Sequence, residues 1–448
     1  MSSSHHNGKK ERERHREPSS STNANGKERS EPGMNDVMKN KAIPLKTLLR
    51  FLGPGFLVTV GFIDPGNWAT NIEGGSRFGY TLLWVITFGT IMLLLIQHMA
   101  AKLGIATGKS LAVNIREFFP KPVTAFLGIT VVLACIATDV AELIGGGIGF
   151  SLLFGMPLWC GVLITAALEV FLILSQRYHR METIIVGFLG VIAFCYLIEL
   201  LLVSPDWGLA ASGLFIPKLD RASIYIAMAM LGAVVMPHNI FLHSNVIHSR
   251  NWGISEGEKA ELLRYEKIDT TFAMLLGWVV NSSMIIVSAA VFYFNRQPVS
   301  GIEEASATLR PLAGPLAGLL FAVALVFSGV GSSITSSMAE ANVITGFLGK
   351  PEDPRSLLYR TAVFITAIPS LFLVFFDTDT YKILIFSQVV LSVQLPFTLL
   401  PLLVLCRSRK VMGNFRSGNG EFFAASAISV IVILLNICLF YATITGRN

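Results

Sequence analysis

Charge is what this sequence has least of. Only 14% of its 448 residues are Asp, Glu, Lys or Arg, against 52% hydrophobic, and the mean hydropathy is +0.61. A soluble fold of this length needs a polar shell that such a composition does not supply, so the chain reads as a polytopic membrane protein. Charged residues are missing altogether from Tyr80–Ala101, Thr270–Asn295, Pro311–Ala339, Ile383–Cys406 and Phe422–Gly446. Each stretch can cross a hydrocarbon layer about 30 Å thick at about 1.5 Å per residue. None alternates polar and apolar residues as barrel strands do, which argues against extended β structure.

Other scarcities exclude other classes. Five cysteines, Cys135, Cys160, Cys195, Cys406 and Cys438, have no CxxC or metal-ligand spacing and read as small core residues rather than disulfides. There is no HExxH, and the eight histidines form no closed zinc set, which speaks against an intramembrane metalloprotease or other enzyme. Gly145-Gly146-Gly147 lacks a following Lys-Ser/Thr, so it reads as helix packing and not as a phosphate loop. No cleavable signal peptide precedes the first apolar run near Phe51. Residues 1–50 hold eleven Lys/Arg against six Asp/Glu, most of the formal net charge of +6, but lack interleaved aromatics. Nucleic acid is therefore not an expected partner, and residues 1–45 are expected to be a disordered, solvated cytoplasmic tail.

What is present is a succession of eleven apolar spans, approximately 51–72, 80–102, 122–150, 157–176, 182–203, 222–248, 266–294, 311–348, 357–376, 381–406 and 421–445. If the amino terminus is inside, seventeen of the Lys/Arg beyond position 50 fall in inside loops and seven outside. The positive-inside bias thus places the amino terminus in the cytoplasm and the carboxyl terminus outside, in agreement with an odd number of spans. The expected fold is all-α, a single transmembrane domain over 46–448. Its eleven spans suffice for a single chain to act in the bilayer as a monomer.

Two of these spans are interrupted by polar, helix-breaking motifs: Asp64-Pro65-Gly66-Asn67 in the first and Met236-Pro237-His238-Asn239 in the sixth. A carboxylate and a proline both cost free energy at membrane depth, so two such breaks read as one shared site. Their matching positions suggest inverted repeats over about 51–203 and about 222–406, with 421–445 as an added helix. Asp64 offers a hard anionic oxygen, Asn67 an amide oxygen and Met236 a soft thioether. Unwound backbone around Gly61 and Ala233 can add carbonyl oxygens. Such a mixed set suits Mn²⁺, Fe²⁺, Co²⁺ or Cd²⁺, while the sulfur discriminates against Ca²⁺ and Mg²⁺, which prefer oxygen shells. Taken singly, a membrane Met is usually core filler and a Pro a tolerated kink; it is their coincidence with Asp64 that points to function.

These motifs, their order and their spans resemble the Nramp family of proton-coupled divalent metal transporters, from about Leu52 through Pro401. The resemblance implies a leucine-transporter-like fold with unwound first and sixth helices. It also implies uptake of Mn²⁺ and Fe²⁺ with protons across the plasma (inner) membrane of a bacterium. It assigns Asp64, Asn67, Met236 and the Ala233 carbonyl as metal ligands. The family's tenth-span pattern appears as Ser387-Gln388-Val389-Val390-Leu391-Ser392-Val393-Gln394-Leu395-Pro396-Phe397, which implicates Gln388 as a ligand in an occluded state. The metal is then cargo, the proton its co-substrate, and no resident cofactor is expected.

A proton path needs titratable groups within the bundle. Asp139 and Glu142, three residues apart, share a helix face; His238 follows Met236, His243 lies further along, and Arg360 begins the ninth span. The resemblance implies that these residues and Asp64 form one polar network. Plainer readings are a hydrogen-bonding His at a break and a neutral Asp139–Glu142 pair that ties helices together. His98 and His248 look interfacial, and the Ser/Thr-rich stretch before Glu340 reads as close packing. A Na⁺-coupled amino acid or amine transporter of the same fold is the alternative function, and a passive channel is disfavoured by the soft, tightly holding donor.

Overall fold

The computed structural model describes residues 53–175, 178–249, 255–299, 301–373, 375, 376 and 379–444. The tail expected over 1–45 lies outside the described residues, within which every regular element is helical. The first span is split into α1 (Pro54–Gly61) and α2 (Pro65–Phe78). There follow α3 (Leu83–Thr107), a short α4 (Leu111–Phe118), α5 (Lys121–Phe154), α6 (Leu158–Ser175), α7 (Tyr178–Leu202) and a short α8 (Trp207–Phe215). The sixth span is split into α9 (Ile224–Val234) and α10 (Pro237–Val246). After it come α11 (Glu256–Ser288), α12 (Ile302–Ala313), α13 (Pro315–Leu348), α14 (Leu357–Leu373), α15 (Thr380–Arg407) and α16 (Asn419–Ile444).

Eight of these spans are long and apolar enough to cross a membrane, and the shorter apolar helices at Leu158–Leu174 and Leu357–Phe372 add two. With the split first span they make the expected eleven. Boundaries shift where local chemistry intervenes. The seventh span begins at Glu256 because Ser255 and Glu258 form a capping box, which carries the helix beyond the apolar run. The eighth begins at Pro315 and not near 311, because Gly314 adopts φ 95° and separates it from α12. α4, α8 and α12 occupy connections that hydropathy left blank.

α5 and α13 form the centre of the bundle, and their backbones meet where Gly329 faces Gly146. Side chains there would separate the helices, so the glycine run packs as its composition suggested. On one face of the bundle lie the Lys/Arg-rich connections around Lys109, Arg116, Lys350, Arg355 and Arg407–Lys410; the opposite face carries Arg77, Lys218, Arg221, Arg296 and Lys382.

Candidate functional site at the two helix breaks

Each break is made by a proline at the first position of the second half-helix. Pro65 and Pro237 have no N–H, so the carbonyls of Gly61 and Ala233, four residues earlier, lose their helical donor. At the first break the exposed ends are then capped by side chains. The Asp64 carboxylate accepts from the backbone N–H of Gly66 and of Asn67, each at 3.0 Å, and so caps α2. Asn67 donates to the Phe62 carbonyl, and Ser328 of α13 to that of Ile63. Asn67 Oδ1 accepts from Asn71 at 2.9 Å, and Asn71 in turn reaches Asn281 of α11 at 2.9 Å.

At the second break Met236 occupies the cap position of α10 without a side-chain cap. Its sulfur accepts from Asn239 Nδ2 at 3.5 Å, and that same amide lies against Gly61, where a Cβ would stand 2.6 Å from Nδ2. The two breaks therefore meet through Asn239. A third helix closes the site: Gln388 of α15 donates to Asp64 Oδ2 at 3.1 Å, its side chain pressed on Gly66 and its carbonyl on Gly232. The Gln388 Oε1 atom is buried and has no partner. Asp64, Asn67, Met236, His238 and Gln388 are all fully buried. Among the described residues no three His, Cys, Asp or Glu side chains form a metal cluster, so the breaks offer one carboxylate surrounded by neutral donors.

Beside this site stands a chain of acids. Pro65 packs on Gly145 of α5, one turn beyond Glu142, whose fully buried carboxyl lies within reach of Ser336, Asp64, Asp139 and Glu169. Ser336 of α13 donates at 3.2 Å to Asp139 Oδ1 or to Glu340 Oε1, which brings these two carboxyl groups together. Glu169 of α6 accepts from Ser337. The sequence had singled out Asp139 and Glu142; it missed that Glu169 and Glu340 turn toward them, and the serines read as packing also line this cluster.

His238 is buried with neither ring nitrogen partnered. His243 Nδ1 lies 3.1 Å from Gln97 Oε1, and Nε2 is 4.0 Å from Glu266, which holds His98 at 2.8 Å. His98 is thus joined to His243 through an acid. Arg360 is not brought to the acids: it is exposed, and its Nε donates to the Pro354 carbonyl at 3.3 Å. The α14 helix begins only three residues earlier, which keeps Arg360 in the first turn at the bundle surface. Thr366, two turns deeper, meets Asp139 and Glu340 instead.

On the face carrying Arg221 and Lys382, a vestibule of about 1290 Å³ reaches down to Glu73 and Tyr381. Tyr381 donates to the Ala69 carbonyl or to Glu73, both at 3.1 Å, and Glu73 pairs with Arg77 at 2.7 Å. These bonds tie α2 to α15 about two helical turns from Gln388.

Comparison with known proteins places this geometry. A family model described as "Natural resistance-associated macrophage protein-like" matches residues 55–442. A divalent metal cation transporter MntH of Brucella suis is 39% identical, over 94% of this chain and 95% of that protein. The crystal structure of an Eremococcus coleocola manganese transporter superposes with a TM-score of 0.76 at 31% identity, over 93% of this chain and 92% of that one. Mhp1, a nucleobase-cation-symport-1 family transporter, shares the fold at a TM-score of 0.59 and 16% identity.

Proposed function

The chain belongs to the Nramp family, and from that membership we propose how its residues import divalent transition metals together with protons. It is a multi-pass membrane transporter and not a member of an enzyme class. The observation that carries the residue assignment is Asp64: a fully buried carboxylate at one helix break, linked by Gln388 and Asn239 to the elements of the other. The cargo is Mn²⁺, Fe²⁺ or a similar ion. An amino acid or amine carried with Na⁺ finds no such support, since a thioether and a lone carboxylate suit a borderline-soft cation better.

In this reading the Lys/Arg-rich face is cytoplasmic and the vestibule opens outward. An ion arriving between α2 and α15 exchanges its waters for Asp64, Asn67, the Met236 sulfur and the carbonyls of Gly61 and Ala233. Gln388 now offers its amide nitrogen to Asp64; rotating the amide end for end presents the unpartnered Oε1 to the ion. Asp64 then ligates as a carboxylate, and its proton passes by Glu142 and Asp139 toward Glu340 and Glu169. His238, with both nitrogens free, exchanges protons at the second break, and His243 with Glu266 continues on the cytoplasmic side. Arg360 has no part in this route. A negative-inside potential adds about 2.3 kcal/mol per charge for each 100 mV to the inward movement of the cation. The transporter acts as a monomer, and the metal is cargo and not a resident cofactor.

Uptake into reconstituted vesicles at two external pH values tests this. Acid outside accelerates wild-type Mn²⁺ entry and metal entry acidifies the lumen, while Asp64→Ala abolishes both. Met236→Ala weakens Mn²⁺ and Cd²⁺ transport roughly tenfold, equivalent to about 1.4 kcal/mol, and admits more Ca²⁺ or Mg²⁺. An unchanged metal preference in that variant would remove the thioether from the selectivity mechanism.

A further inference from the structure

We propose that the groove between α5 and α13 at the Lys/Arg-rich face binds an anionic phospholipid, its phosphodiester held by Arg116 and Lys121. The groove has a volume of about 930 Å³, with Arg116 and Lys121 at its polar end and Ala125, Ile129, Leu133 and Phe347 among its apolar walls. Ile129 is 62% and Leu133 58% exposed, so the wall faces the hydrocarbon region and not the core.

The charges decide the occupant. Neither Arg116 nor Lys121 makes a hydrogen bond or ion pair with any described residue, although carboxylates are near in sequence or space. Glu117 is paired with Lys109 at 2.7 Å, and Glu352 is engaged by Ser110 and Asn245. The Arg116 guanidinium lies against Gly349, the left-handed residue that ends α13, where any side chain would displace it. It is therefore positioned by backbone while its N–H groups remain available. Two unpaired cations above an apolar trough match a headgroup of net negative charge with acyl chains below it. A zwitterionic headgroup would bring a cation of its own to these two. The chain's own first fifty residues are a poor occupant, with eleven Lys/Arg against six Asp/Glu, and a second copy would oppose the same basic pair to itself.

The choice of leaflet rests on the cytoplasmic assignment of this face; the binding itself does not. The same two helices carry Asp139, Glu142 and Glu340 further along, so a lipid seated here braces the lower ends of the pair that holds the acid cluster.

The test is lipid binding to the full-length protein in detergent, by native mass spectrometry and thermal melting. Probes are phosphatidylglycerol, phosphatidylcholine with the same acyl chains, and glycerol 3-phosphate. Phosphatidylglycerol is expected to bind and raise the melting temperature, and the other two to do neither. Arg116→Ala with Lys121→Ala should weaken phosphatidylglycerol binding roughly thirtyfold, and Ala125→Trp, at an exposed position, should fill the trough and weaken it without touching the cations. An equal response to phosphatidylcholine, the same shift from glycerol 3-phosphate alone, or undiminished binding in both variants overturns the proposal. Should the double substitution fail to fold, Ala125→Trp alone decides. Because binding in detergent is blind to sidedness and to metal, failure here leaves the uptake results independent.

Discussion

Gln388 is gripped between two glycines, and the two grips differ in kind. At Gly66 an added Cβ would meet the amide end of the side chain, which can swing away; at Gly232 it would meet the Gln388 backbone carbonyl and the Ser392 N–H, which cannot. Gly66→Ala is therefore expected to fold with a near-native melting temperature but weakened metal binding, because Gln388 and Asp64 are pushed apart. Gly232→Ala is expected to destabilise the protein by about 1–3 kcal/mol, the usual cost of overpacking. Melting curves with a Mn²⁺ or Cd²⁺ titration separate the two, and equal stability loss in both would mean that Gln388 is not wedged as described. Asp64, Asn67 and Met236 were legible in the sequence because a carboxylate and prolines are out of place in apolar spans. Asn239 was not, since what makes it a bridge is Gly61, far away in the chain. Arg360 misled for a related reason: its charge and its span were visible, but its depth was set by where α14 begins. The inward turn of Glu169 and Glu340 depends on helix rotation, on which hydropathy is silent.

At the scale of elements, the spans followed from apolar length alone, whereas their ends followed from capping, as at Ser255, or from backbone conformation, as at Gly314. The connections carry a latch that no periodicity shows. Glu352, in the link from α13 to α14, accepts from Ser110 at 2.6 Å and from Asn245, joining the starts and ends of three elements. Burial pushes the Glu352 carboxyl above its ordinary range, against the pull of these two hydrogen bonds. The folded protein thus holds this proton more tightly than the unfolded chain does. Its stabilising contribution is full in acid, below the unfolded value, and is lost as pH rises through the raised one. Wild type should accordingly lose more melting temperature than Glu352→Gln between about pH 5 and about pH 7. Parallel pH profiles for the two proteins would show that the latch does not titrate.

For the whole molecule, the buried site is closed toward both faces, but by unlike barriers. Toward the Lys/Arg-rich face stand the His243–Glu266–His98 group, the Glu352 latch and Lys102, which reaches Glu421 at 2.6 Å and ties α3 to α16. Toward the other face the vestibule already descends to Tyr381, whose single hydroxyl bridges α15 to Ala69 and Glu73. Opening there breaks few bonds, so the vestibule side should be the first to admit solvent. In a cysteine-free background, Phe386→Cys, at an exposed position on the vestibule wall, should react with an impermeant thiol reagent from that face. Ala112→Cys, buried on α4 beneath the Glu352 latch, should stay protected from either face. Adding Tyr381→Phe should extend labelling from the vestibule to a cysteine at Ala69, and adding Glu352→Ala should expose Ala112→Cys from the Lys/Arg-rich face. Fast labelling of Ala112→Cys with the latch intact, or no effect of Tyr381→Phe, would place the thinner barrier on the opposite side and reverse the order of opening.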